Sequence, residues 1–136
     1  MADFKIKDGE KIRTTLATIA SATVVEAGRF VEIDSGIIVD GTATGAKLAW
    51  TPSGSADGET QIEITVGNDF TLVGTGDAVF AVTQKGTLVD VVMSGTDQQI
   101  DVGTSSTDVL QISASSDAGV VDSAAAIEVR INKPIF

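Results

Sequence analysis

Gln61-Ile62-Glu63-Ile64-Thr65-Val66, then Gly67-Asn68-Asp69, then Phe70-Thr71-Leu72-Val73 is the stretch on which the fold reading turns. Ile62, Ile64 and Val66 alternate with Gln61, Glu63 and Thr65, which is the two-residue period of a half-buried strand. Gly, Asn and Asp then favour a turn, for reasons of backbone freedom and local side-chain hydrogen bonding. The same grammar continues downstream. Gly74-Thr75-Gly76-Asp77 leads into an apolar run over residues 78–82, and Lys85-Gly86 precedes one over 87–93. Ser94-Gly95-Thr96-Asp97 precedes residues 98–102, and runs over 109–113 and 126–131 complete the series. Leu88-Val89 and Val91-Val92-Met93 flank a lone Asp90, so that strand reads as central and covered on both faces.

Upstream, Phe30, Val31 and Ile33 precede a turn at Asp34-Ser35-Gly36, then Ile37-Ile38-Val39, a turn at Asp40-Gly41, and a run over 46–50. Residues 51–58 form the longest evident loop. The dipeptide Gly-Thr recurs at Gly41, Gly74, Gly86, Gly95 and Gly103 with irregular spacing, which reads as turn punctuation rather than a repeat. Residues 14–25 are ambiguous. Leu16, Ile19, Ala20 and Val24 fit a helical stripe, but the Thr content argues for strand or loop.

Short strands separated by turns at such intervals predict an all-β, single-domain β-sandwich or barrel of about 8–10 short strands. An extended N-terminal arm or edge strand over residues 1–13 precedes a domain over 14–136. Composition agrees. The chain has 136 residues, 43% of them hydrophobic but only 4% aromatic, and β-branched side chains pack well on pleated surfaces. A single domain of this length buries roughly two-thirds of its unfolded surface, enough for a core without staples.

Charge is uneven. The net charge is −10, yet five of the nine basic residues, Lys5, Lys7, Lys11, Arg13 and Arg29, lie in the first thirty positions. An acidic body repels phosphate backbones and anionic lipid, so neither nucleic acid nor membrane is an expected partner. The carboxylates also read simply as solubilising groups that keep sheet edges from pairing. Residues 14–25 follow Lys11 and Arg13 and contain Ala20-Ser21-Ala22, but Asp3, Asp8 and Glu10 precede them and the run is too short to cross a bilayer. The reading is a soluble, unexported protein.

Reaction chemistry has few candidates. With no His, Cys or Tyr, the commonest general base, metal ligand and thiolate nucleophile are missing. A Ser-His-Asp triad is impossible, and no Gly-x-Ser-x-Gly elbow occurs. Paired carboxylates alone serve glycosidases, but these acids sit at turns and strand ends, where Asp bonds its own backbone. Asp57-Gly58-Glu59, Asp69, Asp77 and Asp97 offer oxygen ligands of the kind calcium takes, but their spacing lacks the Asp-x-Asp-x-Asp-Gly pattern, so turn capping is the preferred reading. Gly74-Thr75-Gly76-Asp77 lacks the Lys-Ser/Thr and the helix of a phosphate loop. Trp50 reads as core rather than as an exposed loop aromatic. The expectation is a protein that is not an enzyme and uses no cofactor or metal.

Val25-Glu26-Ala27-Gly28-Arg29-Phe30-Val31, the turn at Asp34-Ser35-Gly36-Ile37-Ile38-Val39 and the closing Val129-Arg130-Ile131-Asn132-Lys133-Pro134-Ile135-Phe136 bear a resemblance. Together with the Gly/Thr/Val-rich texture between them, they resemble the small capsid decoration, or cement, proteins of tailed bacteriophages. The resemblance implies a homotrimer on the outside of an assembled head, clamping major capsid protein subunits, with the virion exterior as its location. It also implies engagement through a terminal arm. The matching residues are Phe4 and Ile6 as apolar anchors, with Lys5, Lys7, Lys11 and Arg13 as their charged complement. An ordinary edge strand with solvated lysines fits those residues equally. Two other functions compete: another virion part such as a tail-tube or head-fibre module, and a carbohydrate-binding or adhesive β-sandwich.

Overall fold

The computed structural model describes residues 3–8, 12–42, 45–114 and 124–136. Among them are eleven strands: β1 Lys5–Asp8, β2 Thr14–Thr18, β3 Arg29–Asp34, β4 Ile37–Asp40, β5 Ala49–Thr51, β6 Gln61–Thr65, β7 Thr71–Gly74, β8 Leu88–Ser94, β9 Asp97–Asp101, β10 Leu110–Ile112 and β11 Ile127–Ile131. The only helical element among these residues is a single 3₁₀ turn, Val82–Gln84. The chain is all-β.

Six strands form one antiparallel sheet in the order β1-β7-β11-β10-β8-β9. The chain leaving β7 crosses to the far edge, where the Ile100 N–H donates to Thr75 O (2.9 Å) and the Asp77 N–H donates to Ile100 O (2.9 Å). The sheet therefore curls around its apolar face. That face holds Leu72, Val89, Val91, Ile100, Leu110, Ile112, Val129 and Ile131 in the larger of two cores.

The smaller core holds Ile19, Val25, Val31, Ile38, Ala49, Ile62 and Ile64. Around it, β3 pairs with β4 and β5, β2 pairs with β6, and a parallel bridge between Ile19 and Ile38 joins the two groups. Strands β3 and β5 form a wall shared by both cores. Phe30 and Trp50 face the larger core, while their neighbours Val31 and Ala49 face the smaller one. The two-residue period makes this possible, because adjacent side chains leave a strand on opposite faces.

Local chemistry explains most boundaries. Strands β3 and β4 join through Ser35-Gly36, both at positive φ (52° and 81°), as a two-residue hairpin requires. Residues 14–25 resolve to strand β2 followed by turns and bridges at Ile19 and Val25, so the Thr content outweighs the helical stripe. The run over 78–82, expected as a strand, pairs with nothing as a ladder among the described residues. There the Gln84 carboxamide accepts the Ala81 N–H (2.9 Å) and closes the 3₁₀ turn, while Phe80 reaches full burial through its side chain alone.

Two of the five Gly-Thr glycines are needed for close approach rather than for turning. A Cβ at Gly74 would lie 2.2 Å from the Phe4 ring, and one at Gly41 would lie 2.7 Å from Phe30 O. Trp50 is buried at 8% exposure, as core.

Candidate interaction surface

The N-terminal segment is built into the domain rather than extended from it. Strand β1 is an edge strand paired with β7, with Lys5 opposite Val73 and Ile6 opposite Leu72. Phe4 is fully buried, its ring 4.4 Å from that of Phe30 between centroids and seated over Gly74. Its role as an apolar anchor for a partner is therefore corrected: burying the ring in the chain's own core removes more apolar surface from water than a rim contact does. Ile6 is half-buried against the same core. Lys5, Lys7 and Arg13 are exposed, and Lys11 lies outside the described residues. Strand β1 thus presents Lys5 and Lys7 outward, with Phe4 and Ile6 turned toward the core.

Behind that edge lies a polar hub that sequence reasoning missed. Arg29, at 5% exposure, meets Asp3 (2.9 Å), Asp40 (2.8 Å) and Glu26 (3.8 Å) and also donates to Thr96 O. Burial alone would lower the pKa of its guanidinium, but the charge of Asp40, reinforced by Asp3, raises it. Asp40 is shifted up because desolvation outweighs the attraction of Arg29, and its Oδ1 is buried without a hydrogen-bond partner. Asp3 Oδ2 also accepts the Gln98 N–H (2.9 Å), tying the N-terminal segment to β9.

The Gln98 side chain, 1% exposed, behaves as a fragment of strand. Its Oε1 accepts the Phe30 N–H (2.7 Å), and its Nε2 donates to Phe30 O and Gly41 O (both 3.0 Å). One carboxamide thus satisfies backbone groups of the shared wall that lie beyond the end of the β3–β4 ladder. The only available signal was a Gln at the start of an apolar run, which is too common to be specific.

Asp90, at 2% exposure, is a fully buried acid. It sits in the middle of β8, with Val89 and Val91 facing the core, and its carboxylate accepts N–H groups from Ser106 (3.0 Å), Thr107 (3.0 Å) and Asp108 (2.9 Å). Burial pushes its pKa up, but the bonds from Asp108, Ser106 and Thr107 outweigh burial and hold it below the ordinary carboxylate value. Next to it, Asp101 is shifted up, first by desolvation and then by the adjacent carboxyl of Asp77 and the charge of Asp90. Asp77 itself accepts the Val102 N–H (2.9 Å), and Glu59 accepts the Ala56 N–H (2.9 Å). These acids pin loops.

The surface is otherwise dotted with apolar side chains: Leu16 (62% exposed), Val24 (58%), Val79, Val82, Ile33, Ile37 and Phe136. Five of the six aromatic residues are buried, leaving Phe136 as the exposed one. Comparison with protein-family models, with curated proteins and with solved structures gives no match.

Proposed function

We propose that this chain is a structural protein of a phage virion, a capsid decoration protein that binds the outside of the assembled head and stabilises it. The sequence resemblance is the source of the reading. The observation that supports it most is the pair of exposed cations, Lys5 and Lys7, on the edge strand β1 of a chain of net charge −10, with Arg13 exposed further along, a charge pattern suited to an acidic protein surface. The engagement of Asp3, Asp40 and Asp90 with backbone N–H groups and Arg29 fits a non-enzymatic role.

The carbohydrate-binding alternative is disfavoured by one feature. Sugar-stacking platforms use exposed aromatics, and Trp50, Phe4, Phe30, Phe70 and Phe80 are all inside. A tail-tube module differs in behaviour, forming tubes that negative-stain images of the purified protein reveal.

The test is co-sedimentation with empty heads of the encoding phage, together with the melting temperature of the heads. Binding to the assembled state stabilises it by mass action, so the heads melt higher when the protein is present. Charge reversal at Lys5, Lys7 and Arg13 leaves Phe4 and Ile6 in place and should abolish co-sedimentation with the fold intact. Wild-type protein that neither sediments with heads nor raises their melting temperature sinks the decoration reading. Undiminished binding by the reversed variant sinks those cations as its contact.

A further inference from the structure

Arg130 is a cation held in place with its charge unanswered. It lies on β11 between Val129 and Ile131, both in the core, so its side chain leaves the sheet on the outer face. Gln111, opposite it on β10, accepts from Arg130 Nε (3.2 Å) and Nη2 (3.0 Å) through Oε1. The Nε2 of Gln111 donates in turn to Gly86 O (2.9 Å). This relay fixes a side chain that is otherwise free to swing, but the partner it supplies is neutral. The sequence holds 19 acids against nine bases, yet among the described residues Arg130 makes no ion pair. Gln111 takes the Nε–Nη2 edge of the guanidinium and leaves the Nη1–Nη2 end for another acceptor.

Arg130 also lines a cleft of about 290 Å³, together with Thr71, Gln111 and Ser113. No carboxylate lines it among the described residues. The one acid of β11, Glu128, is 6% exposed and lies outside the lining, and the exposed Lys5 stands in its row, opposite Val73. We propose that this cleft is a carboxylate-recognition site that takes an Asp or Glu side chain of a protein partner. The free end of a fixed guanidinium presents two parallel donors, which match the two oxygens of a carboxylate. A volume near the lower bound of small-molecule pockets suits one side chain better than a larger ligand. Charge narrows the anion further. A chain of net charge −10 repels phosphate dianions and polyanions, and a single carboxylate meets the least repulsion. The inference rests on the decoration reading only for the identity of the partner, whose shell then presents the acid.

The probe is N-acetylglutamate amide, which carries one carboxylate and no other charge, with N-acetylglutamine amide as the neutral control. Titrated into isotope-labelled protein at fixed ionic strength, the first should shift the backbone amide resonances of Gln111 and Ser113 saturably, and the second should not. Arg130→Gln should abolish the shift. Arg130→Lys keeps the charge but loses the fork, and should weaken binding at least about fivefold. Lys47→Gln removes an exposed cation outside the lining and should leave binding within about twofold. All three positions are on the surface, so the melting temperature should hold. Arg130→Gln should also weaken co-sedimentation with empty heads at least about fivefold. The inference is overturned by an absent or unsaturable shift, or by inorganic phosphate binding as tightly as the carboxylate. It is also overturned if Arg130→Lys binds as well as the unmodified chain, or if Lys47→Gln loses as much as Arg130→Gln. Heads that bind Arg130→Gln as tightly as the unmodified chain overturn it and leave the decoration reading standing. Heads that bind neither chain sink the decoration reading, and the titration then decides for the cleft.

Discussion

Replacing Gln98 with Leu should destabilise the domain far more than its position near the end of a surface hairpin would indicate. The substitution keeps most of the side-chain volume, so little cavity forms, but it removes the group that accepts the Phe30 N–H and donates to Gly41 O. Phe30 O keeps a partner, because it also accepts the Gly41 N–H (3.0 Å). Two buried backbone groups are therefore orphaned, at about 1–3 kcal/mol each, and about 4 kcal/mol is expected in total. With an unfolding entropy of about 2.1 cal/mol/K per residue, a loss of that size lowers the Tm of a 136-residue chain by about 14 °C. Urea unfolding followed by Trp50 fluorescence measures it directly. Trp50 is the only Trp, is buried, and lies opposite Phe30 in the β3–β5 ladder. The midpoint should fall with the slope unchanged. Gln99→Ala, the half-buried neighbour, should cost under about 0.5 kcal/mol. If Gln98→Leu costs no more than Gln99→Ala, the strand-like role of this carboxamide is refuted.

Two further predictions concern the N-terminal segment and the acids. Gly74→Ala places a methyl 2.2 Å from the Phe4 ring and should cost about 2 kcal/mol of overpacking, but close to nothing in a Phe4→Ala background; additive losses in a double-mutant cycle would show that the ring does not occupy that slot. The pH dependence should have two regimes. Asp40 and Asp101 have folded pKa values raised above the ordinary 3.8, so both oppose folding when ionised, and stability should rise as pH falls from neutrality through those values. Asp90 has a folded pKa below 3.8, so its contribution is complete above 3.8 and is lost as pH falls through the folded value. Chemical denaturation across this range should therefore show a maximum on the acidic side of neutrality. Asp101→Asn should raise stability at pH 7 and flatten the upper limb, and an unchanged limb would count against the carboxyl cluster.

Much of the strand content was legible because it rests on local rules. The alternation over residues 61–66, the apolar runs over 30–33 and 37–39, and the Gly- and Asp-bearing turns all follow from a two-residue period and from turn chemistry that act within a few residues. The burial of Trp50 belongs to the same class, whereas the second face of β8, expected to be covered, is half-buried at Leu88 and Val92 and exposed at Ser94, and β8 lies one strand from the sheet edge. The run over 78–82 has strand-like composition but forms no ladder, because composition does not supply a neighbouring edge with which to pair.

The rest depended on which edges meet in space, and no local pattern specifies that. That Phe4 fills the slot over Gly74 rather than reaching for a partner was decided by the pairing of β1 with β7, residues almost seventy positions apart. Arg29 and Gln98 were ordinary polar residues of two different runs until packing brought them beside Asp3, Asp40 and Phe30. Periodicity assigns a side chain to a face of its strand. Only the closing of long loops and the exclusion of water between sheets determine what that face meets, and hence whether a carboxylate or carboxamide is solvated or holds the wall together.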